Sequence, residues 1–248
     1  MMPFAHSTES HQVTLPHVAA MIRFSQLLLV FFHVLVVNGQ LSVVWSYQSG
    51  STATDQGWGL AVDPSTKDVV LGGYTEGPVN GETLVGTRNW VAVKLNSAGA
   101  LQWTYQVGEA GSFSQIYDIA IDSSSNIVLA GKHKGTLFGA NVGEDDITVV
   151  KLNSAGVQQW GFLTGYAGHD SATSVAIDSS GNVIVGGWTR GAISGHTFQG
   201  STVDGVLLKL NSAGAQQWLH ATQLGTSGND ALNCVTTDSS ATWTATFY

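Results

Sequence analysis

The amino-acid sequence predicts an all-β fold built from a tandem repeat of about 57 residues. A decapeptide recurs in nearly the same form as KLNSAGALQW, KLNSAGVQQW and KLNSAGAQQW. Its tryptophan and one earlier tryptophan stand 58, 57 and 58 residues apart, at Trp45, Trp103, Trp160 and Trp218. A second motif keeps a similar spacing and ends at Asp63, Asp122, Asp178 and Asp238. A steady period of this length indicates one supersecondary unit that is repeated along the chain.

Each repeat reads as two β-hairpins. In SVAIDSSGNVIVGGW two short runs flank a turn in which Asp178 caps backbone N–H groups and Gly181 takes a positive φ. In VLLKLNSAGAQQWLH two further runs flank Asn211 to Gly214, where Asn opens the turn and Gly supplies the left-handed position. The decapeptide is therefore the turn and both flanks of the second hairpin. We expect its Lys, Asn and Trp to be structural, with the tryptophans filling space between neighbouring units.

Four strands in each unit of about 57 residues predict the blades of a β-propeller. The runs VVLGG, IVLAG and VIVGG are apolar without alternation, which indicates sheets that neighbouring blades cover on both faces. Tandem sandwiches are the alternative, but each would need about seven strands. Residues 40–248 hold three full and two partial blades, which predicts an incomplete ring from a longer propeller. A small four-bladed ring is the alternative.

The motifs together resemble a known repeat family. They are KLNSAGA-x-QW, a Gly-x-Asp or Gly-Asn-Asp entry before the first strand, and [VI]-A-[VI]-D-[SP]-S-x-x-[ND]-[VI]-[VI]. This combination resembles the SBBP-type repeat, named for a seven-bladed β-propeller, over about residues 41–248. The resemblance implies a propeller, commonly in exported or surface proteins. It implies no shared catalytic residue that could be assigned to positions in this chain.

The residues before the repeat have a different composition. A segment with one basic residue, Arg23, precedes the apolar run LLLVFFHVLVV, and Asn38-Gly39-Gln40 follows. This order predicts a secretory signal peptide over residues 21–39 and a secreted or extracellular-surface protein. The run is too short to span a bilayer, and a buried strand or short anchor is the alternative reading. Residues 1–20 form an extension that is not translated if synthesis begins at Met21.

Composition and motifs restrict the classes of function. The net charge is -8 and the 9 basic residues are scattered singly, so we expect no nucleic-acid partner. Cys234 is the one cysteine in the chain, which excludes an intrachain disulfide, and it is expected to be a small buried strand residue. The sequence has no Gly-x-Ser-x-Gly elbow, phosphate loop or Cys-x-x-Cys pair. We therefore predict neither a cofactor nor a catalytic centre.

Polar residues that break the repeat are the candidates for a binding site, because residues in register are explained by the blade. They concentrate in three connections between hairpins, residues 75–89, 132–145 and 189–204. The ligand-binding candidates are His133, Glu144, Asp145, Asp146, Arg190 and His196. The three adjacent acids lack the spacing of a calcium loop, and the histidines lack zinc-ligand spacing, so no metal is predicted.

The sequence leads to two hypotheses of function. The first is a secreted or cell-surface propeller that acts as a non-catalytic scaffold or interaction module for a protein or glycan. The alternative is a propeller enzyme or glycan-binding module with its site at the mouth of the central channel. Acids, histidines and aromatic residues that leave the repeat pattern and converge on one face would favour the alternative.

Overall fold

A computed structural model describes residues 18–24, 27–37, 40–191, 203–221, 230–238, 240 and 242–247. Every helix or strand assigned within these ranges is a β-strand, which confirms the all-β prediction. Blade I contains β4 (Asp55–Val62), β5 (Val69–Thr75), β6 (Asn89–Leu95) and β7 (Leu101–Val107). Blade II contains β8 (Phe113–Ile121), β9 (Ile127–Lys134), β10 (Asp146–Leu152) and β11 (Gln158–Thr164). Blade III contains β12 (Asp170–Ile177), β13 (Val183–Thr189), β14 (Asp204–Leu210) and β15 (Gln216–Ala221).

Each of these blades is a four-stranded antiparallel sheet whose strands pair in chain order. A two-stranded sheet of β16 (Leu232–Thr237) and β17 (Trp243–Phe247) follows blade III as the first hairpin of another unit. A three-stranded sheet of β1 (Val18–Phe24), β2 (Leu27–Val37) and β3 (Gln40–Tyr47) precedes blade I. Three full and two partial sheets in tandem agree with the β-propeller that the repeat predicts.

The segment predicted as a signal peptide includes β2, which pairs antiparallel with both β1 and β3. Cleavage after Gly39 stays a prediction. The wider prediction of a secreted protein likewise stays a prediction.

Consecutive blades stack face to face, with their first strands closest together. The first strand of each unit contacts the first strand of the next, from β4 to β8, β12 and β16. Apolar side chains from both sheets fill each interface, as with Val149 of blade II and Val185 of blade III. Strands β5, β6 and β10 are buried at every position, which explains why their sequences do not alternate.

The decapeptide joins consecutive blades as well as turning the chain. In the second hairpin of blade II, Asn153 Oδ1 accepts bonds from the N–H groups of Ala155 and Val157, and Gly156 has a φ of 79°. The ring of Trp103 in blade I lies against this Gly156, and its Nε1 donates to Ser154 O at 3.1 Å. The same contact recurs from blade II to blade III. The prediction of structural tryptophans between blades is confirmed for this pair of interfaces.

Two turn residues of each blade also form an ion pair. The decapeptide lysine reaches the first hairpin turn of its own blade, as in Lys151–Asp122 at 3.1 Å and Lys209–Asp178 at 3.4 Å. In blade I the acceptor is instead Asp68, 3.0 Å from Lys94. These lysines are therefore structural residues of the repeat, as the sequence predicted.

The expectation that Cys234 is buried is wrong. Its strand β16 buries Leu232 and Val235 against blade III, whereas Cys234 is exposed. The register of β16 shifts between Leu232 and Cys234, which leaves Cys234 on the side of the strand that does not face blade III.

Candidate functional site

The two ends of the stacked blades carry different parts of the repeat. Turns inside hairpins lie at one end, which we call the turn face, in residues 62–69, 94–101, 121–127, 151–158, 177–183, 209–216 and 237–238. Connections between hairpins and between blades lie at the other end, the connection face, in residues 50–55, 75–89, 107–114, 132–146, 164–170, 189–191, 203–204 and 230–231. Antiparallel pairing in chain order requires this separation. The described candidate residues therefore share one face, and His196 lies outside the described residues.

A buried layer supports the connection face. Its members are the residues that pair across the first three strands of each blade: Asp55, Thr75 and Asn89; Ser114, His133 and Asp146; Asp170, Thr189 and Asp204. In blade I the Thr75 hydroxyl donates to Asp55, and in blade III Thr189 bonds Asp170. In blade II, Ser114 Oγ lies 2.7 Å from His133 Nδ1 instead. Blade II thus has Ser114 and His133 where the other two blades both have an Asp and a Thr.

His133 is part of this supporting layer. Its Nε2 lies 3.5 Å from a Glu109 carboxylate oxygen, and its ring packs edge-on against Phe138 with centroids 5.4 Å apart. Burial lowers the pKa of His133, and the nearby Glu109 opposes that shift only in part. A serine hydroxyl bonded to a histidine whose other ring nitrogen faces an acid resembles a nucleophile with its base. However, Ser114 is 0% and His133 1% exposed, so a substrate cannot reach them in this structure.

Above the buried layer, residues that differ between blades form a continuous set of contacts. Arg88 Nη2 lies 2.6 Å from Glu76, both in the first connection. The Arg88 guanidinium carbon lies 3.7 Å from the ring centre of Tyr74 and 3.9 Å from that of Phe113. The Lys132 amine lies 5.2 Å from the centre of the same Phe113 ring. These cation–π contacts connect blade I to blade II.

Asp145 continues the contacts from blade II to blade III. One of its oxygens, Oδ2, lies 2.9 Å from Lys132 Nζ and 3.0 Å from His169 Nδ1. The Asp145 side chain is 8% exposed, whereas that of His169 is 44% exposed. Asp145 is thus a fixed link between the blades, and His169 presents the same set of contacts to solvent.

The three adjacent acids of the second connection separate in space. Glu144 forms an exposed ion pair with Lys134, which raises the pKa of Lys134 and lowers that of Glu144. Asp145 forms the link described above. Asp146 is buried, accepts a bond from Val142 N at 2.7 Å, and has its pKa raised by burial. In the part of the chain that the structure describes, no three acidic, histidine or cysteine residues could hold a metal ion together.

Arg190, the candidate from the third connection, is exposed and lies 5.6 Å from the ring centre of Trp188. Trp188 holds the position in blade III that Tyr74 and Lys132 hold in blades I and II, one residue before the buried Thr or His. The connection face therefore places a different side chain at the same point of each blade.

Sequence reasoning missed several residues that the structure brings into contact or into equivalent positions. Tyr74 and Phe113 flank Arg88, and the rings of Trp58 and Tyr117 meet edge-on with centroids 5.6 Å apart. Trp58, Tyr117, Thr173 and Asn233 occupy equivalent register shifts in the four first strands. An available signal was that this position, five residues before the recurring Asp, holds a different residue type in each unit. Bulges of this kind redirect side chains and are common beside binding sites.

The turn face has a cavity of about 340 Å³ between blades II and III, but its polar groups belong to the repeat. Asp122 and Asp178 line it, and each accepts bonds from an asparagine of its own turn. Those bonds, with the lysine beside each carboxylate, keep the pKa of both groups low. The same turn chemistry recurs from blade to blade, so this cavity is not the distinctive site.

No helix in the described part of the chain is long and apolar enough to cross a membrane.

Comparison with known proteins agrees with the architecture. No family model matches the chain. The chain is 27% identical over 154 residues to an uncharacterized WD repeat-containing protein, L264, of Acanthamoeba polyphaga mimivirus. The alignment covers 52% of this chain and 11% of that protein, so the chain spans about a tenth of the relative's length. WD repeats build propeller blades, and the similarity supports the β-propeller. The finer SBBP-type assignment stays a prediction.

Proposed function

We propose that this chain is an interaction module, a β-propeller that binds a protein partner on its connection face. One observation carries the proposal. The hairpins repeat closely, whereas the residues that differ between blades gather at one end and contact one another from Glu76 to His169. In a repeat protein the blade explains the common residues, and binding explains those that differ. Arg88 and the ring of Phe113 belong to this set of contacts, and arginine and aromatic side chains are enriched in protein interfaces.

The buried layer would make this face a rigid platform. Asp55, Ser114, His133 and Asp170 are fixed by bonds within their blades, below the residues that reach solvent. Asp145 ties two blades together from a nearly buried position. A face that is ordered before binding loses little conformational entropy when a partner docks.

A cross-linking experiment tests the location of the interface. A photoreactive residue would be placed at Thr136 on the connection face or at Ser124 on the turn face, both of which are exposed. We expect a partner to be linked from position 136 and not from position 124. Linking from 124 alone, or equally from both positions, would contradict the proposal.

A glycan-binding or enzymatic propeller is a second candidate, favoured by a pair of aromatic residues in the first strands of blades I and II. The rings of Trp58 and Tyr117 are partly exposed and in contact with each other. A screen against a glycan library, followed by a thermal shift for each hit, tests this candidate, since a ligand that binds the folded state raises its apparent stability. A Trp58→Ala variant that binds a hit as well as the parent would remove these rings from the site.

We further propose that the module is secreted or displayed at a cell surface, which the order of the predicted signal peptide supports. N-terminal sequencing of the chain made in a secreting cell tests this. A mature chain that starts near Gln40 is expected, and an intact intracellular product that retains β2 would contradict it.

A further inference from the structure

One turn of the first connection is built around an Asn-Gly pair. Asn80 and Gly81 have φ values of 52° and 88°, and Glu82 N donates to Val79 O at 3.0 Å. Two positive φ values at the centre of such a turn define type I′, in which Asn followed by Gly is the favoured sequence. The turn therefore explains the pair, and the chemistry of the pair is a consequence of that choice.

Both residues of the pair are open to water. Asn80 and Gly81 are exposed, and a Cβ built on Gly81 would meet no atom within 4 Å apart from its chain neighbours. The closing bond of the turn uses the N–H of Glu82, so the N–H of Gly81 lies outside that bond. Because Gly81 has no Cβ, its own side chain does not shield its nitrogen from the Asn80 side chain.

The Asn80 amide also links two parts of the repeat. Its Nδ2 donates to Tyr47 Oη at 3.2 Å and to Thr104 Oγ1 at 2.8 Å, and its Oδ1 accepts from Ser49 Oγ at 3.1 Å. Tyr47 ends β3, Ser49 follows that strand, and Thr104 lies in β7. The amide thus joins the end of the sheet that precedes blade I to blade I itself.

We propose that Asn80 is a site of spontaneous deamidation in the folded chain, with water as the co-reactant. Asparagine is among the thermolabile residues. The backbone nitrogen of Gly81 attacks Cγ of Asn80, a new C–N bond closes a five-membered imide, and the side-chain nitrogen leaves as ammonia. Water then opens one of the two C–N bonds of the imide and gives aspartate or isoaspartate. The net reaction converts an amide and water to a carboxyl group and ammonia, and nothing is oxidised or reduced.

Conversion changes what position 80 offers to its neighbours. A carboxylate has no N–H, so it accepts hydrogen bonds from the three hydroxyl groups but donates none to Tyr47 and Thr104. Those two hydroxyl groups must turn their hydrogens toward position 80. The isoaspartate product also lengthens the backbone of the turn by a methylene group. Both changes loosen the contact between β3 and blade I.

Three other asparagines of the chain are internal controls. Each is followed by Ser, and its Oδ1 accepts two bonds from backbone N–H groups of its own turn; they are Asn96, Asn153 and Asn211. The Cβ of the serine and the two bonds to Oδ1 both oppose closure of the imide. These turns recur from blade to blade, whereas the Asn-Gly turn belongs to the first connection.

The test incubates the full chain at mildly alkaline pH and follows deamidation by mass spectrometry of its proteolytic peptides. We expect position 80 to convert at least about tenfold faster than the three control asparagines, and faster still as pH rises, because the attacking nitrogen must lose its proton. Isoaspartate and aspartate should both form. Asn80→Gln has a side chain too long for a five-membered imide and should lose the fast conversion. Conversion at 80 no faster than at the controls, or aspartate as the sole product, would overturn the proposal.

Hydrogen exchange measures the structural consequence. Amides of residues 45–49 should exchange about two- to tenfold faster in the converted chain than in the fresh chain, which corresponds to the net contribution of one hydrogen bond. Asn80→Asp should reproduce this change, and the amides of β14 in blade III should not change. Unchanged exchange at 45–49 in both chains, or an equal change in β14, would overturn the local loosening of β3.

Discussion

Replacing Ser114 and His133 together by the Asp and Thr of blades I and III should be tolerated better than either single replacement. The two side chains are in register across β8 and β9 and make one hydrogen bond of 2.7 Å. The same positions in blade I hold Asp55 and Thr75, which also bond each other. The same pair of positions therefore accommodates two different bonded pairs, Ser with His in blade II and Asp with Thr in blade I.

The magnitudes follow from burial. His133→Thr removes a hydrogen bond worth about 0.5–1.5 kcal/mol and leaves a fully buried serine hydroxyl without that partner, at about 1–3 kcal/mol. It also opens a gap beside Phe138. We expect a loss of about 2–4 kcal/mol in the free energy of unfolding. Ser114→Asp places a carboxylate in the same buried site without the hydroxyl that bonds it in blade I, and should cost about 1–3 kcal/mol.

The double variant restores a donor to the new carboxylate. Its cost should be smaller than the sum of the two single costs by about 1–3 kcal/mol, the range for residues in direct contact. Urea unfolding of the complete chain, followed by tryptophan fluorescence, gives the four free energies of the cycle. His133→Thr combined with Ser124→Asp is the control, because Ser124 lies on the turn face and its effect should simply add.

A cycle that is additive within about 0.5 kcal/mol would refute this reasoning. It would mean that Ser114 and His133 contribute separately, and that the layer below the connection face is not built from exchangeable pairs.

Three further predictions concern single sites. Asp146→Asn should be neutral or stabilising by up to about 1 kcal/mol, because burial raises the Asp146 pKa and disfavours its charged form. The gain in the free energy of unfolding should grow as pH rises above 3.8, and a loss measured by urea unfolding would contradict this. Burial lowers the pKa of His133 from 6.5, so the unfolded chain takes up the proton first and the free energy of unfolding should fall as pH drops below about 6.5. The His133→Thr variant should lack this fall, and an unchanged fall in the variant would mean that another group causes it. Gly156→Ala should lower the free energy of unfolding by about 1–3 kcal/mol more than Gly181→Ala, as measured by thermal unfolding. Both glycines have a φ of 79°, so the backbone strain is equal, but only at Gly156 would the new Cβ lie 2.8 Å from the Trp103 ring. Equal costs would mean that the ring moves aside.

Sequence reasoning succeeded where the physics is local. The hairpin turns follow from Asn and Asp side chains that bond backbone N–H groups within four residues, and from glycines at positive φ. Unbroken apolar runs followed from sheets that are covered on both faces, as β5 and β10 show. Both signals are carried by residues close together in the chain, and the repeat states each of them several times.

Burial at the ends of strands was harder to infer. His133 leaves the repeat pattern and therefore resembled a surface ligand-binding residue, but Ser114 had left it at the paired position. Comparing both positions across the units could have indicated that Ser114 and His133 together replace a buried Asp and Thr pair. Single residues judged by type alone do not carry this information, because a histidine is polar both in water and in a buried hydrogen bond.

The amino-acid sequence by itself determined the period, the hairpins and the all-β architecture, and only the tertiary structure decided which unusual residues meet. Arg88 and Phe113 come together because blade I stacks on blade II, and Asp145 reaches His169 across the next interface. Glu144, Asp145 and Asp146 are adjacent in the chain but separate, into an exposed ion pair, a link between blades and a buried acid. The physical reason is that successive side chains where a strand begins point in different directions, and what each one meets depends on how neighbouring sheets pack.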